Sequence, residues 1–399
     1  MNVLLISTCE RSGGGAIAAH RLMDALGKNG VKVKMIVRDK QSDNPSVVKV
    51  GSKLPKLLER LAVLPRCGFR RSRLWQVDIA NTGIDITRTT AYEEADIIHL
   101  HWVNQGMISL DGIGKILSSG KRVIWTLHDE WPYLGVCHYR GSCKEKLCQH
   151  CPLLCGSIPF IVRAHKQALF HRWHPTLVGC SQWITDEARR ALPGEHIVHI
   201  NNCIPSAFFQ PTDMQQARKT LSLPEDKRLL LFCSQKVTDE RKGIAFLCDA
   251  LQQLRRDDVH LAIVGKNAEK IPLPDGIQAT CFGSVGEQMM PTLYNAADVF
   301  LTPSLQDNLP NTIAEAMNCG TPCVGFNVGG IPEMIDHKVN GYVARYRDSA
   351  DLAEGILFVL SHDLREAARQ KAVEAYDETR VAQQYIKLYT QSEYSDYPK

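Results

Sequence analysis

The sequence predicts an α/β protein with two doubly wound, Rossmann-like domains, and three observations support this prediction. The 399 residues exceed the roughly 100–200 residues of one typical domain. Short β-branched runs alternate with segments of helical length along the whole chain. These runs are also almost continuously apolar, as in parallel strands that helices cover on both faces.

The predicted strands fall into two groups. The first group is 1–7, 31–37, 96–102, 122–127, 176–181 and 197–201. The second group is 228–234, 259–265, 277–283, 298–304 and 321–327. Between them, Pro205 and Pro211 flank a non-periodic segment that precedes a predicted helix over 213–221. We therefore place the domain boundary within 202–205.

This boundary gives an N-terminal domain over 1–204, a C-terminal domain over 205–375, and a C-terminal helix and tail over 376–399. The spacing of alanine and apolar residues predicts a helix from Leu364 to Tyr394. Because no strand follows this helix, we expect it to pack away from the second sheet, with the first domain as the candidate surface.

Composition excludes several classes of protein. Charged residues are 23% and hydrophobic residues 44% of the chain, which argues against disorder, coiled coil and collagen. A net charge of +4, spread over the chain, is too small to indicate a nucleic acid partner. No signal peptide and no apolar run of ~18 residues is evident. Together with fourteen cysteines, this favours a cytoplasmic protein with reduced thiols.

A glycine-rich loop follows the first predicted strand. Gly13, Gly14 and Gly15 precede a predicted helix, so their backbone N–H groups can approach an anion at the helix N-terminus. Two alternatives stay open: a plain flexible turn, and a dinucleotide-binding motif completed by Ala18 and Asp39. The second is weakened because these glycines lie about six residues beyond the strand rather than immediately after it.

Two acids flank a predicted loop-to-helix corner in the second domain. Asp307 lies in the loop after a strand that ends at Ser304, and Glu315 lies in the first turn of a helix that we expect to begin near Thr312. Both can face one ligand at the carboxyl end of the strand, where open α/β sheets bind their ligands. The alternative is an acid that the helix dipole favours at a helix start.

The run from Pro303 to Glu333 resembles the nucleotide-sugar site of glycosyltransferase family 4, whose members are retaining enzymes of the GT-B fold. The family signature is a pair of acids separated by seven residues. Further features lie in family order: the glycine loop, His128 within 126–129, the hinge over 200–202, Arg241-Lys242-Gly243 and the C-terminal helix. The likeness is greatest to bacterial capsule and exopolysaccharide transferases of the colanic-acid type. It implies two domains that face each other across a cleft.

The resemblance also implies roles for particular residues. Glu315 should hold the ribose hydroxyls and Asp307 the sugar hydroxyls of the donor. The loop that should line the sugar pocket consists of Asn308, Leu309, Pro310 and Asn311. His128 should contact the donor sugar, with a core histidine as the alternative. His99 and His101 alternate in a strand and share a face, and a structural role is at least as well supported for them as a functional one.

Cations are expected at the donor diphosphate, because the departing nucleoside diphosphate develops negative charge. Lys242 is the first candidate, and Lys236 and Arg241 are rivals for a second position. The sequence contains no Asp-x-Asp motif, so we expect no catalytic metal. Asp307 stands where most family members have glutamate, and 308–311 differs from the Phe-Gly that many have, so the identity of the donor sugar stays open.

Five cysteines lie close together between residues 137 and 155. Four of them have a spacing that suits a structural zinc ion bound by thiolates: Cys137, Cys143, Cys148 and Cys151. Disulfides or free thiols are the alternatives.

A basic segment lies between Lys53 and Trp75. Leu54, Leu57, Leu58 and Leu61 fit one face of a helix that also carries lysines and arginines. Such a helix can rest on anionic lipid, which would suit a polyprenyl-linked acceptor. A helix packed on its own domain is equally compatible with the pattern.

These features together predict a retaining glycosyltransferase at the inner face of the membrane. It would move a hexose or modified hexose from a nucleoside-diphosphate sugar to a polysaccharide or lipid-linked oligosaccharide. The alternatives are a nucleotide-sugar epimerase of the same fold, and a non-catalytic nucleotide-sugar-binding partner of a synthase complex.

Overall fold

The computed structural model describes residues 1–254 and 256–391, and it divides the chain into two compact units. Unit 1 contains Met1–Cys203 together with the chain from Thr379 onward, and unit 2 contains Ile204–Glu378. Each unit is a parallel sheet covered by helices, which confirms the predicted fold class.

Unit 1 is built on a seven-stranded sheet with the strand order β3-β2-β1-β4-β5-β6-β7. The strands are β1 (Asn2–Cys9), β2 (Lys32–Asp39), β3 (Val47–Lys49), β4 (Ile97–Leu100), β5 (Arg122–Leu127), β6 (Thr176–Gly179) and β7 (Ile197–His199). The helices are α1 (Gly14–Lys28), α2 (Leu54–Arg66), α3 (Thr90–Glu93), α4 (Leu110–Leu117), α5 (Ile158–Trp173) and α6 (Gln182–Ala191). A 3₁₀ helix over Arg71–Trp75 follows α2.

The two faces of this sheet bury separate apolar clusters, because alternate residues of a strand point to opposite faces. Leu4 and Ile6 of β1 belong to one cluster, and Val3 and Leu5 belong to the other. The final helix of the chain packs on the second cluster through residues of its apolar face. These residues are Val381, Ala382, Tyr385, Leu388 and Tyr389.

Unit 2 is built on a six-stranded parallel sheet with the order β10-β9-β8-β11-β12-β13. The strands are β8 (Arg228–Lys236), β9 (Val259–Lys266), β10 (Gln278–Gly283), β11 (Val299–Thr302), β12 (Cys323–Phe326) and β13 (Gly341–Ala344). The helices of unit 2 are α7 (Met214–Thr220), α8 (Ile244–Leu254), α9 (Met290–Ala296), α10 (Asn311–Asn318), α11 (Ile331–Met334), α12 (Ser349–Ser361) and α13 (Arg365–Tyr376). The last described helix, α14 (Glu378–Thr390), belongs to unit 1 from Thr379 onward.

The predicted strands are all present, and β5 has the predicted bounds. Two strands were not predicted, β3 and β13, because each is a short edge strand of three or four residues. The predicted helix over 213–221 forms as α7, with the Asp213 side chain capping its N-terminus through the N–H of Gln216 at 2.6 Å.

The prediction of one continuous helix from Leu364 is wrong. The helix breaks at Asp377, where the chain pairs with Ile204 instead of continuing its helical hydrogen bonds. The N–H of Ile204 donates to the carbonyl oxygen of Tyr376 at 2.7 Å, and the N–H of Glu378 donates to the carbonyl oxygen of Ile204 at 3.1 Å. Tyr394, the predicted end, lies outside the described residues. Within the described ranges, no helix is long and apolar enough to cross a membrane.

Candidate functional site

The site in unit 2 lies at the carboxyl end of β11, as predicted for a parallel sheet. β11 ends at Thr302, and the loop that follows carries Asp307 before α10 begins at Asn311. The carboxylate of Asp307 accepts hydrogen bonds from the Lys242 ammonium at 2.6 Å and from the Ser304 hydroxyl at 3.3 Å. The structure therefore brings two of the predicted site residues, Lys242 and Asp307, into one ion pair.

The Lys242 loop is fixed directly against the Asp307 loop. Gly243 has a φ of +70°, and a Cβ added there would lie 1.8 Å from the carbonyl oxygen of Pro303. The N–H of Leu305 donates to the carbonyl oxygen of Arg241 at 2.7 Å. Glycine is required at residue 243 because both the left-handed backbone and the close approach exclude a side chain.

A second glycine loop packs on the other side of Asp307. Gly329 has a φ of +57°, and a Cβ there would lie 1.7 Å from the carbonyl oxygen of Asp307. The N–H of Gly330 donates to the carbonyl oxygen of Asn308 at 2.8 Å. The Gly-Gly pair, recognised in the sequence only as part of the run ending at Glu333, thus supports the acidic loop from behind.

Glu315 differs from its prediction in one respect. It lies in the second turn of α10 rather than the first, because the helix begins at Asn311, so a favourable contact with the helix start does not explain the residue. Its side chain is buried and accepts a hydrogen bond from the hydroxyl of Tyr294 at 2.7 Å. A buried carboxylate with this partner is an acid held in a fixed position.

Two groups near Glu315 show its electrostatic influence. Burial, together with the charge of Glu315, raises the pKa of the Cys233 thiol on β8 to about 12. Burial and the same carboxylate hold the pKa of Tyr294 well above its usual value, so the phenol remains a proton donor. Sequence reasoning missed Tyr294, which lies on α9 and has no motif of its own.

Arg241 and Lys236, the two candidates for a second cation beside Lys242, differ in their contacts. Arg241 is tied to Asp239, with its Nη2 at 2.6 Å and its Nε at 3.2 Å from the carboxylate oxygens. Lys236 is exposed at the end of β8, and within the described part of the chain its ammonium makes no hydrogen bond or ion pair. Lys236 is therefore better placed than Arg241 to accept a new anionic partner.

The loop predicted to line a sugar pocket leads into α10. Asn308 and Leu309 are buried, Pro310 occupies the N-cap position of α10, and Asn311 is the first residue of that helix. The carbonyl oxygen of Asn308 is already bonded to Gly330. The loop is thus held in place by its burial and by the hydrogen bond to Gly330.

In unit 1, polar side chains gather where two neighbouring strands end. His101 follows β4 and His128 follows β5, and their Nδ1 and Nε2 atoms lie 3.0 Å apart. The rings of His99 and His101 lie 4.2 Å apart, which confirms that they share a face. His99 bonds the Tyr389 hydroxyl and the Thr126 hydroxyl, each at 2.8 Å.

The glycine loop contacts this histidine cluster. A Cβ added to Gly15 would lie 3.0 Å from Cγ of His128, so the start of α1 packs on the imidazole ring. Gly13 precedes the helix at a φ of +94°, and Gly14 is its first residue. The structure thus brings together the predicted glycine loop and His128. Asp39, the acid of the alternative dinucleotide motif, is paired instead with Arg38 at 2.6 Å.

Burial keeps these histidines neutral near pH 7. Burial, with a smaller contribution from the charge of His128, lowers the pKa of His99 to about 3. Burial also lowers the pKa of His128 to about 4. The pKa of His101 is also well below the usual value for the same reason. Its Nε2 atom is buried without a hydrogen-bond partner in the described chain. Neutral imidazoles can donate to and accept from uncharged hydroxyl groups.

Two acids, Asp129 and Glu130, follow His128 in the chain. Burial would raise the pKa of Asp129, but His138 and further hydrogen bonds lower it. The carboxylate accepts from the indole N–H of Trp102 and lies 2.8 Å from Nδ1 of His138. Burial raises the pKa of Glu130 to about 7. Sequence reasoning assigned no role to Glu130, although its position directly after a strand end was a usable signal.

The prediction of a zinc ion bound by four thiolates is not supported. All fourteen cysteines are free, and in residues 1–254 and 256–391 no group of three or more His, Cys, Asp or Glu side chains is arranged to hold a metal ion. Cys137 and Cys151 hydrogen-bond to each other and pack on an apolar cluster that contains Val63 and Val136. Cys148 accepts a bond from the N–H of Gly135. Cys143, Cys148 and Cys151 all act electrostatically on Cys137, so the four thiols lie near one another without taking up the arrangement of a metal site.

Two family models match the chain, one in each half. The model described as "Glycosyltransferase Family 4" matches residues 12–208, and the model described as "Glycosyl transferases group 1" matches residues 227–362. The chain belongs to these glycosyltransferase families. Capsule or colanic-acid specificity is not part of this finding.

Curated relatives and solved structures agree with the family. The chain is 23% identical over 381 residues to a D-inositol 3-phosphate glycosyltransferase of Saccharomonospora viridis, covering 86% of this chain and 80% of that one. It is also 25% identical over 211 residues to the N-acetyl-alpha-D-glucosaminyl L-malate synthase of Bacillus anthracis. The matched residues cover 49% of this chain and 54% of that enzyme.

Among solved structures, sucrose-phosphate synthase of Thermosynechococcus elongatus has a TM-score of 0.71 at 18% identity, with 98% of each chain covered. HepE of Anabaena, solved with UDP and glucose, has a TM-score of 0.67 at 17% identity, with 98% of this chain and 99% of that chain covered. Both likenesses establish the fold.

We predict that Gly243→Ala disrupts the unit 2 site. A left-handed alanine costs about 1–2 kcal/mol, and its Cβ would collide with the carbonyl oxygen of Pro303, so the Lys242 loop must move. Thermal melting should show a lower midpoint of unfolding. Gly286→Ala is the control, because residue 286 has a φ of −75° and open space around its Cβ position. Equal behaviour of the two variants would contradict the assignment.

We predict that the histidine cluster makes the fold acid-sensitive. His99 is neutral in the folded protein but takes up a proton when unfolding exposes it below about pH 6.5. Neutral His99 therefore contributes its full share to the free energy of unfolding above that pH. This contribution is lost as the pH falls toward about 3, by up to about 1.4 kcal/mol per pH unit for one proton. His99→Gln should flatten the dependence of unfolding free energy on pH, measured by urea titration between about pH 7 and pH 4.

The matched control is His171→Gln, since His171 is exposed on α5. This variant should keep the slope of the unsubstituted protein. A His99→Gln variant with an unchanged slope would show that this imidazole titrates alike in the folded and unfolded chain.

Proposed function

We propose that the protein transfers a hexose or modified hexose, with retention of configuration, from a nucleoside-diphosphate sugar to a polysaccharide or lipid-linked oligosaccharide acceptor. The observation that carries this proposal is the ion pair of Lys242 and Asp307 after β11, with Glu315 on the helix that follows. The charges of Glu315 and Lys242 both act on the Cys233 thiol. These three charged residues provide two acids for hydroxyl groups and one cation for phosphate. The donor would be a UDP-sugar, a choice supported by the HepE structures with UDP and with UDP-glucose.

The two acids have different roles in this proposal. Glu315, held by Tyr294, accepts hydrogen bonds from the ribose hydroxyls. Asp307 binds hydroxyl groups of the transferred sugar, and these take the place of Lys242 on the carboxylate. The released ammonium then pairs with the diphosphate, so donor binding exchanges one ion pair for another. Charge-assisted bonds of this kind are about twice as strong as neutral ones.

The reaction breaks the bond between the anomeric carbon and the diphosphate oxygen and forms a bond from that carbon to the acceptor oxygen on the same face. The acceptor hydroxyl gives its proton to the departing diphosphate. Lys242 and Lys236 stabilise the negative charge that develops there, and Arg241 joins them if it leaves Asp239. We propose that this cationic set acts without a catalytic metal, as the family resemblance implies.

In unit 1, His128 and the glycine loop are proposed to contact the transferred sugar. A neutral imidazole suits this role because it offers one donor and one acceptor to hydroxyl groups without attracting a carboxylate. The backbone at Gly15 packs on the ring and restricts its orientation. His99 and His101 act as positioning residues, since they connect His128 to Thr126 and Tyr389.

Two classes of acceptor are candidates. The family resemblance favours a capsule or exopolysaccharide repeat, whereas the names of two relatives specify L-malate and D-inositol 3-phosphate. Both classes of acceptor therefore belong in the assay. A cytoplasmic location is proposed as well, supported by the fourteen free cysteines.

The test combines donor binding with product analysis. UDP- and GDP-sugars are screened by thermal shift, because only a nucleotide that binds the folded state raises the midpoint. Glu315→Gln should weaken UDP binding about 10-fold to 100-fold in calorimetry, since each bond to a charged group contributes about 1.5–3 kcal/mol. Glu354→Gln, on an exposed face of α12, should leave binding unchanged.

Radiolabelled donor then separates the possible activities. Transfer to an acceptor, or slow hydrolysis with retention, supports the proposal, and it should persist in EDTA. An epimerised sugar nucleotide would instead identify an epimerase, and binding without any product would identify a non-catalytic partner. Loss of transfer in EDTA, with recovery on adding magnesium or manganese to folded protein, would contradict the metal-free mechanism.

A further inference from the structure

The helix α2 presents a row of leucines to solvent. Leu54, Leu57, Leu58 and Leu61 are exposed by 57%, 56%, 46% and 57% of their surface. Their spacing of three and four residues places them on one face of the helix. Removing such side chains from water is favourable, so folding alone does not account for four of them in one exposed row.

Buried polar residues hold the helix in this orientation. The carboxylate of Glu59 accepts from the N–H groups of Ile79 and Ala80 at 2.9 and 3.1 Å. Arg60 donates to the carbonyl oxygens of Leu74 and Val77. Charged residues of α2 thus face the protein while its leucines face outward. Rotating the helix to bury the leucines would expose or break these buried bonds.

The start of α2 is also fixed. The hydroxyl of Thr82 donates to the carbonyl oxygen of Pro55 at 2.7 Å. A Cβ on Gly106 would lie 2.4 Å from the backbone nitrogen of Lys56, so the helix backbone packs directly on that glycine. The leucine row therefore belongs to a rigid surface.

Two aromatic side chains extend this surface beyond the helix. Phe69 is 71% exposed, and Trp75, at the end of the 3₁₀ helix, is 55% exposed. Phe69 has a φ of +57° in the turn after α2. The ammonium of Lys56 lies 5.2 Å from the centre of the Trp75 ring. Exposed aromatics next to cations are typical of residues at the boundary between water and lipid.

The charges along this segment are almost all positive, although Lys53 lies 4.0 Å from the carboxylate of Asp39 on β2. From residue 52 to residue 76 the only acid in the sequence is Glu59, and it is buried. The cations of the segment other than Arg60 are Lys53, Lys56, Arg66, Arg70, Arg71 and Arg73. Anionic head groups are complementary to such a rim, and apolar side chains at its centre can enter the lipid. A second copy of the same surface would instead repel it.

We propose that the face formed by α2 and residues 67–75 docks on a bilayer that contains anionic phospholipid. The leucine row and Phe69 enter the boundary between head groups and acyl chains, and the arginines contact the lipid phosphates. This surface is independent of the donor site proposed above, so either proposal can fail without the other. Of the two interpretations left open by the sequence, the exposure of the leucines favours contact with lipid.

Vesicle flotation with the full chain tests this proposal. Vesicles of phosphatidylcholine mixed with phosphatidylglycerol should carry the protein upward, whereas phosphatidylcholine alone should carry little. Binding should fall as salt is raised, because the Debye length shortens from ~10 Å at 0.1 M to ~3 Å at 1 M. Equal binding to both vesicle types, or none to the anionic vesicles at low salt, would overturn the proposal.

Variants locate the contact. The double change Leu57→Gln with Leu61→Gln should weaken binding at least about tenfold, and Arg70→Gln with Arg71→Gln should weaken it about fivefold for each charge. Leu357→Gln is the control, since Leu357 is an exposed leucine of α12 in unit 2. Circular dichroism and UDP calorimetry on each variant confirm that the fold and donor site are intact.

A third readout places lipid at Trp75. Brominated lipid should quench tryptophan fluorescence in the unsubstituted protein and quench it less in Trp75→Phe. Equal quenching in both, or flotation that the leucine changes leave untouched, would overturn the assigned surface. Concentration-dependent dimers that disappear with the leucine changes, without any flotation, would show that a second copy covers this face.

Discussion

The contact between Gly243 and the carbonyl oxygen of Pro303 determines how the site of unit 2 is assembled. It brings the loop after β8 against the loop after β11, two strands that are neighbours in the parallel sheet. Only because residue 243 lacks a side chain can Lys242 reach the carboxylate of Asp307. The Gly329 loop makes an equally close approach from the other side. Three segments that are far apart in sequence are thereby fixed around one acid.

The cluster of unit 1 depends on a different constraint, the burial of neutral polar groups. His99, Thr126, Tyr385 and Tyr389 satisfy one another within an apolar surrounding. The two tyrosines come from α14, so the last described helix completes a cluster whose other members follow or belong to β4 and β5. This helix therefore contributes to the polar cluster as well as to the apolar core.

Much of this arrangement could be predicted from the sequence, because strand-like runs and strand-end motifs are local signals. Asp307, Glu315 and the glycine loop were found in this way, whereas Lys242 and the role of His128 came from the family resemblance. Other features depend on contacts that a sequence does not display. The Tyr294 partner of Glu315 lies 21 residues away on another helix. The break at Asp377 depends on pairing with Ile204.

The cysteine pattern and the leucine pattern could not be interpreted from the sequence alone. Thiol spacing suggested a four-ligand zinc site, yet Cys137 and Cys151 bond each other and Cys148 accepts from the backbone of Gly135. The described residues do not form a metal site there. The leucine spacing of α2 suited either a buried or an exposed face. Only the buried bonds of Glu59 and Arg60 decide that the leucines point outward.

We infer that the glycine-fixed loops of unit 2 bind the donor nucleotide, and hydrogen–deuterium exchange with and without UDP would detect this binding at the loops themselves. Binding that orders these loops should slow exchange at residues 241–243, 304–317 and 329–333, while 54–75 in unit 1 remains unchanged. Protection that is absent from these three segments, or confined to the glycine loop at 13–15, would contradict the account.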